Sequence, residues 1–83
     1  MALILRGKTK CSICDTVLAD DDDIIGTPHF IVDPDDPLWG FSDSGMHRTC
    51  FVAWPQRDAF IARFNDAAGR FQRLMDDGSI VDA

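Results

Sequence analysis

Two short ligand pairs constrain this chain more than any other feature. Cys11 and Cys14 are separated by two residues, as are His47 and Cys50, and 32 residues lie between the pairs. A turn can aim both sulfurs of Cys11-Ser-Ile-Cys14 at one point. The first turn of a helix does the same for His47 and Cys50, which would stand at i and i+3. These are the only three cysteines in the chain. An odd number cannot pair completely as disulfides, whereas three thiolates and one imidazole fill a tetrahedral Zn²⁺ site. The spacing therefore predicts one structural zinc ion held by Cys11, Cys14, His47 and Cys50.

Two competing readings fit less well. A thioredoxin-type dithiol at Cys11 and Cys14 belongs where a strand meets a helix in a βαβ unit, and no such pattern surrounds it. His29, the only other histidine, is the alternative fourth ligand. It lies between Pro28 and the apolar triplet Phe30 to Val32, reads as a strand histidine, and lacks the helical pairing with Cys50.

Length makes a metal staple useful. Eighty-three residues form one domain, 1–83, divided into a metal-bearing core at 10–54 and an extension with a short tail at 55–83. A chain this small buries only about 60–65% of its unfolded surface, which leaves the core marginal. A structural zinc contributes roughly 10–16 kcal/mol of binding free energy coupled to folding. No apolar run approaches the ~20 residues of a membrane span. Met1 to Leu5 is apolar, but Arg6 and Lys8 follow at once, unlike a signal peptide. Thiols kept as metal ligands fit the reducing cytoplasm, the expected compartment.

Charge is unevenly distributed. All 14 acidic residues are Asp, and residues 15–43 hold nine of them with no Lys or Arg. Arg6, Lys8 and Lys10 precede that stretch; Arg48, Arg57, Arg63, Arg70 and Arg73 follow it. A net charge of −6 disfavours binding to a phosphate backbone unless one basic face is segregated from the acidic one. Asp20 to Asp23 lacks the alternation and the glycine of a calcium loop and reads as a solvated turn.

Along the chain, Leu3 to Thr9 alternates loosely and predicts a strand leading into the first ligand pair. Ile24–Ile25 and His29–Val32 read as strand material, Asp33-Pro-Asp-Asp-Pro37 as a rigid turn, and Leu38 to Phe41 as the returning strand. A helix is expected from Met46 or His47, capped by Asp43 or Ser44. Pro55 should break it at Trp54 and open a second helical stretch. Phe60, Phe64, Phe71 and Leu74 recur at helical spacing and carry that stretch to about Met75, with Gly69 as a point of interruption. Asp77-Gly78 reads as a turn and Ser79 to Val81 as a short strand.

A Cys-x-x-Cys turn, a β-hairpin and a helix with the last two ligands in its first turn resemble the treble-clef zinc finger. The resemblance covers roughly Lys10 to Trp54. It implies a small α+β zinc-bound domain with a knuckle turn, a hairpin and a C-terminal helix. His47-Arg48-Thr49-Cys50-Phe51 is also similar to the His-x-x-Cys-Phe segment of LIM-type fingers. LIM and RING modules use about eight ligands for two zincs, and this chain offers at most five.

Three functions follow from that resemblance. A treble clef also underlies His-Asn-His nucleases, with His29 as general base. However, Asn65 is the only asparagine, no further histidine remains, and a four-ligand zinc has no open position. A nucleic-acid finger would need the arginines on one side. The favoured expectation is a non-catalytic protein-interaction module, with the acidic hairpin tip meeting a basic partner. Its Phe60/Phe64/Phe71 stripe would fold back on the hairpin, pair with a second copy or enter a partner's groove.

Overall fold

A computed structural model describes residues 4–83. Its architecture is small and α+β: two antiparallel two-stranded hairpins with two helices between them. Strands β1 (Ile24–Gly26) and β2 (Gly45–His47) form the first hairpin, and helices α1 (Arg48–Ala53) and α2 (Arg57–Ala68) follow. Strands β3 (Gln72–Leu74) and β4 (Ile80–Asp82) close the chain.

The N-terminal segment departs from expectation. From Ile4 onward the chain does not form a strand; Leu3 lies outside the described residues. The N–H groups of Lys8 and Thr9 both turn back to the Leu5 carbonyl (2.9 and 2.8 Å), and Gly7 has φ of 85°. A left-handed glycine cannot continue an extended run, so the segment curls into a turn. A knuckle follows. Lys10 bridges Val17, Cys11 N–H donates to the Thr16 carbonyl at 2.8 Å, and Asp15 N–H donates to the Cys11 carbonyl at 2.9 Å. Asp15 supplies the positive φ (61°) that tightens the knuckle, a conformation Asp tolerates better than most residues.

The hairpin expected around Asp33–Pro37 does not form: Ile24 and Ile25 are in a strand, but neither His29–Val32 nor Leu38–Phe41 is. β1 pairs with β2 in the register Ile24↔His47, Ile25↔Met46 and Gly26↔Gly45. Gly45 lies tight against the core there; a Cβ would sit 2.9 Å from the Leu18 side chain and 3.0 Å from that of Ile4, and those side-chain ends would have to shift. Residues 27–44 form a long excursion between the strands. Within it, the Asp36 carboxylate and carbonyl accept the N–H groups of Leu38 and Trp39 (2.9 Å each), which winds Trp39–Phe41 into a single 3₁₀ turn. His29–Val32 forms no strand and bends at His29. Buried Ser42 instead accepts the Phe30 and Ile31 N–H groups on its hydroxyl, at 3.2 and 3.4 Å.

The helices also differ in extent. α1 begins at Arg48, with His47 in the cap position and no side-chain cap bond from Asp43 or Ser44, because Met46 and His47 are still in β2. The break at Trp54 occurs as expected; Trp54 ends α1 in an extended conformation. Pro55 precedes α2 rather than opening it, and Gln56 is its cap residue. α2 stops at Ala68 with Gly69 after it and does not reach Met75. Glycine weakens a helix there, and the Asn65 side-chain oxygen captures the Leu74 N–H at 2.9 Å, docking β3 against α2. The Asp77-Gly78 turn then returns β4 along β3 in the register Arg73↔Val81.

The core lies where the excursion and both helices meet. Phe60 and Phe64 are wholly buried, with Phe30 edge-on to both at 5.1 Å and Trp54 at 5.2 Å from Phe60. Leu18, Ile25, Ile31, Met46, Phe51 and Leu74 complete it. Phe71 is 74% exposed. The Phe60/Phe64/Phe71 stripe is therefore not one face: two rings close inside the chain and the third lies on β3's approach. An Asp36–Arg63 ion pair ties the excursion to α2.

Candidate metal centre

Three pieces of backbone bring the four sequence-predicted ligands together. The knuckle supplies Cys11 and Cys14, the end of β2 supplies His47, and the first turn of α1 supplies Cys50. Their donor atoms all lie within 4.8 Å of one another. His47 Nδ1 is 3.4 Å from Cys14 Sγ and 3.8 Å from Cys50 Sγ. Zn–S bonds of about 2.3 Å and Zn–N bonds of about 2.0–2.1 Å in a tetrahedron imply N···S separations of about 3.5–3.6 Å. The two measured distances bracket that value. The group can hold one metal ion, and its soft donor set suits zinc.

The remaining contacts show what prepares the site. Cys11 is buried and its sulfur accepts the His47 N–H at 3.4 Å. Cys14 is exposed, and its thiol is lowered to about 6, chiefly by the Thr16 N–H with help from the Thr16 hydroxyl, against burial. Burial is the main cause that raises Cys50 to about 11. Burial opposes charge on His47, yet its hydrogen bonds to Asp22, Cys11 and Cys14 prevail and raise it to about 9. An incoming ion must displace the protons on His47 and Cys50 at neutral pH.

Lys8, Lys10 and Arg48 lie beside the ligands in sequence, where a cation could support the thiolates. Arg48 instead faces away from the sulfurs, bonding the Asp23 carboxylate at 2.9 Å and the Asp77 carbonyl at 2.6 Å. The support comes from backbone N–H groups and Thr16. His29 is exposed and stands outside the ligand group.

Two participants were not legible as such. Asp22 places Oδ2 2.9 Å from His47 Nε2, and nothing in the Asp20–Asp23 run distinguishes it from its neighbours. Thr16 follows the second cysteine by two residues, a position a knuckle turn makes available for a bond back to sulfur. Three of the six arginines are engaged by aspartate: Arg48 with Asp23, Arg57 with Asp58, Arg63 with Asp36. Arg6 spans the carbonyls of Ala19, Asp20 and Asp22 at 3.0–3.1 Å.

Compared with known proteins, the chain matches no family model, and no curated protein or solved structure is significantly similar to it.

Proposed function

We propose that this chain is a small non-catalytic domain of the treble-clef kind, stabilised by one structural zinc ion and serving as a protein-interaction module. The observation that carries the reading is the convergence of Cys11, Cys14, His47 and Cys50 from two distant pairs onto one point. Four protein donors complete a tetrahedral ion and leave no open position for water or substrate, which favours a structural role over chemistry. The order of elements, knuckle, hairpin, then a helix bearing Cys50 in its first turn, supports the treble-clef comparison.

Protein is favoured over nucleic acid as a partner because Arg48, Arg57 and Arg63 are neutralised by aspartates. Exposed carboxylates remain at Asp20, Asp21, Asp33, Asp35 and Asp43, a surface whose charge would speed encounter with a basic partner. Removal of metal at neutral pH should abolish the fold. The ion supplies about 10–16 kcal/mol, against a total stability of about 4–12 kcal/mol for a domain of this length. Far-UV circular dichroism before and after chelation, with zinc counted by elemental analysis, tests this; an unchanged spectrum after verified metal loss would sink it. Capture of partners with and without nuclease treatment tests the second half. Recovery of nucleic acid with a steep salt dependence would replace the protein-interaction reading.

A further inference from the structure

We propose that Asp22 is an outer member of the metal centre: it holds His47 so that Nδ1 faces the ion, and it ties the acidic loop at residues 19–23 to metal binding. The proposal rests on the zinc reading above and extends it to a residue outside the ligand set.

The geometry begins with the first hairpin. Ile24 pairs with His47, so their side chains share a face of the two-stranded sheet. Asp22, two residues before Ile24, stands in the bend that leads into β1, with its N–H and carboxylate both bonded to Ala19 and its carboxylate beside His47. The Asp23 carbonyl accepts the Arg48 N–H at 2.9 Å and extends the ladder past β1, which fixes where Asp22 stands. Its Oδ2 lies 2.9 Å from His47 Nε2, while the opposite ring nitrogen points at Cys14 and Cys50. A neutral imidazole has one N–H and one lone pair. With Nε2–H donated to a carboxylate, the lone pair must be on Nδ1, the nitrogen among the sulfurs. Rotating the ring to offer Nε2 to the ion would break the Asp22 bond.

No other acid in the run can do this. The Asp23 carboxylate is taken by Arg48, and Asp20 and Asp21 are exposed. Asp22 is itself held in place. The same Oδ2 accepts the Ala19 N–H at 2.7 Å, and Arg6 clamps three carbonyls of the loop from outside. A carboxylate behind a ligating histidine fixes tautomer and orientation, and its removal typically lowers metal affinity by about 10–100-fold. The loop that reads in sequence as a solvated, self-repelling turn is thus folded around the centre and ordered with it.

The test uses the full chain loaded with zinc, and with ¹¹³Cd for spectroscopy. Long-range ¹H–¹⁵N correlation of the His47 ring should show Nδ1 bound to metal and a slowly exchanging Nε2–H. Ring attachment through Nε2 would overturn the proposal without any variant. Competition with a chromophoric chelator should show Asp22→Ala weaker by roughly 10–100-fold, Asp22→Asn intermediate, and Asp21→Ala equal to wild type. Equal affinities for Asp22→Ala and Asp21→Ala would also overturn it. Failure of the wild-type chain to take up one equivalent of metal would instead sink the zinc reading and this proposal together.

Discussion

Replacing Gly78 by alanine probes how firmly the second hairpin is joined to the half that carries the Cys11, Cys14, His47 and Cys50 group. Two costs can be worked from the structure. Gly78 has φ of 90°, and an L-residue in the left-handed region costs about 1–2 kcal/mol. A Cβ at that position would lie 2.6 Å from Ile25 Cδ1 and 2.8 Å from Ile25 Cγ2. Overpacking of that kind costs about 1–3 kcal/mol. The expected total is about 2–5 kcal/mol, a large share of the about 4–12 kcal/mol available to the whole domain. Urea unfolding of the metal-loaded chain gives the total, and a cycle with Ile25→Ala separates its parts. Ile25→Ala alone should cost about 2–5 kcal/mol by leaving a cavity. In the double variant the clash disappears while the backbone strain stays, so the two changes should couple favourably by about 1–3 kcal/mol. Additivity within about 0.5 kcal/mol would refute the contact between the Gly78 turn and β1.

Cys50→Ser should lose metal and unfold, whereas His29→Ala should retain one equivalent of zinc; metal content after gel filtration distinguishes them. Phe64→Ala should cost about 3–5 kcal/mol because the ring is wholly buried. Phe71→Ala should stay within about ±0.5 kcal/mol, since that ring is exposed. Thermal melts of both variants check the contrast. Arg63 first, and then the Leu38 N–H, hold the Asp36 carboxyl below the usual range. A depressed carboxyl contributes stability above its unfolded value of about 4 and loses it as pH falls through the folded value. The wild type should therefore exceed Asp36→Asn in urea midpoint at pH 6–7. That difference should shrink steadily below about pH 4, and a gap independent of pH would contradict the pairing with Arg63.

The legible parts of the fold were those set by local chemistry. Cys11-x-x-Cys14 and His47-x-x-Cys50 carry their geometry in their spacing, Pro55 stops a helix wherever it stands, and Asp77-Gly78 turns a chain by its own backbone preferences. The returning strand was not local. Leu38–Phe41 has strand composition, but the Asp36 side chain and carbonyl wind it into a 3₁₀ turn. Gly45–His47 takes the pairing instead, because Gly45 lets Leu18 and Ile4 approach the ladder. Phe71 and Leu74 continued the helical period of Phe60 and Phe64; Gly69 marked a possible stop, and the Asn65 contact with β3 shows why the period ends there. Asp22 was hidden for another reason. Four consecutive aspartates are chemically identical in sequence, and only the turn closed on Ala19, together with the β1–β2 register, selects one of them.

That register has a consequence for alignment. The ladder has only three paired positions, too few for backbone bonding to reject a neighbouring alignment strongly. A slip of one residue would turn every side chain of β2 to the opposite face. Met46, now wholly buried, would be turned toward solvent, and His47 away from the knuckle cysteines. Only the native alignment puts the imidazole beside three sulfurs, so a bound ion would reward that alignment alone. An ion touching four side chains would in this way proofread the pairing of β2 with β1, a strand that holds none of its ligands.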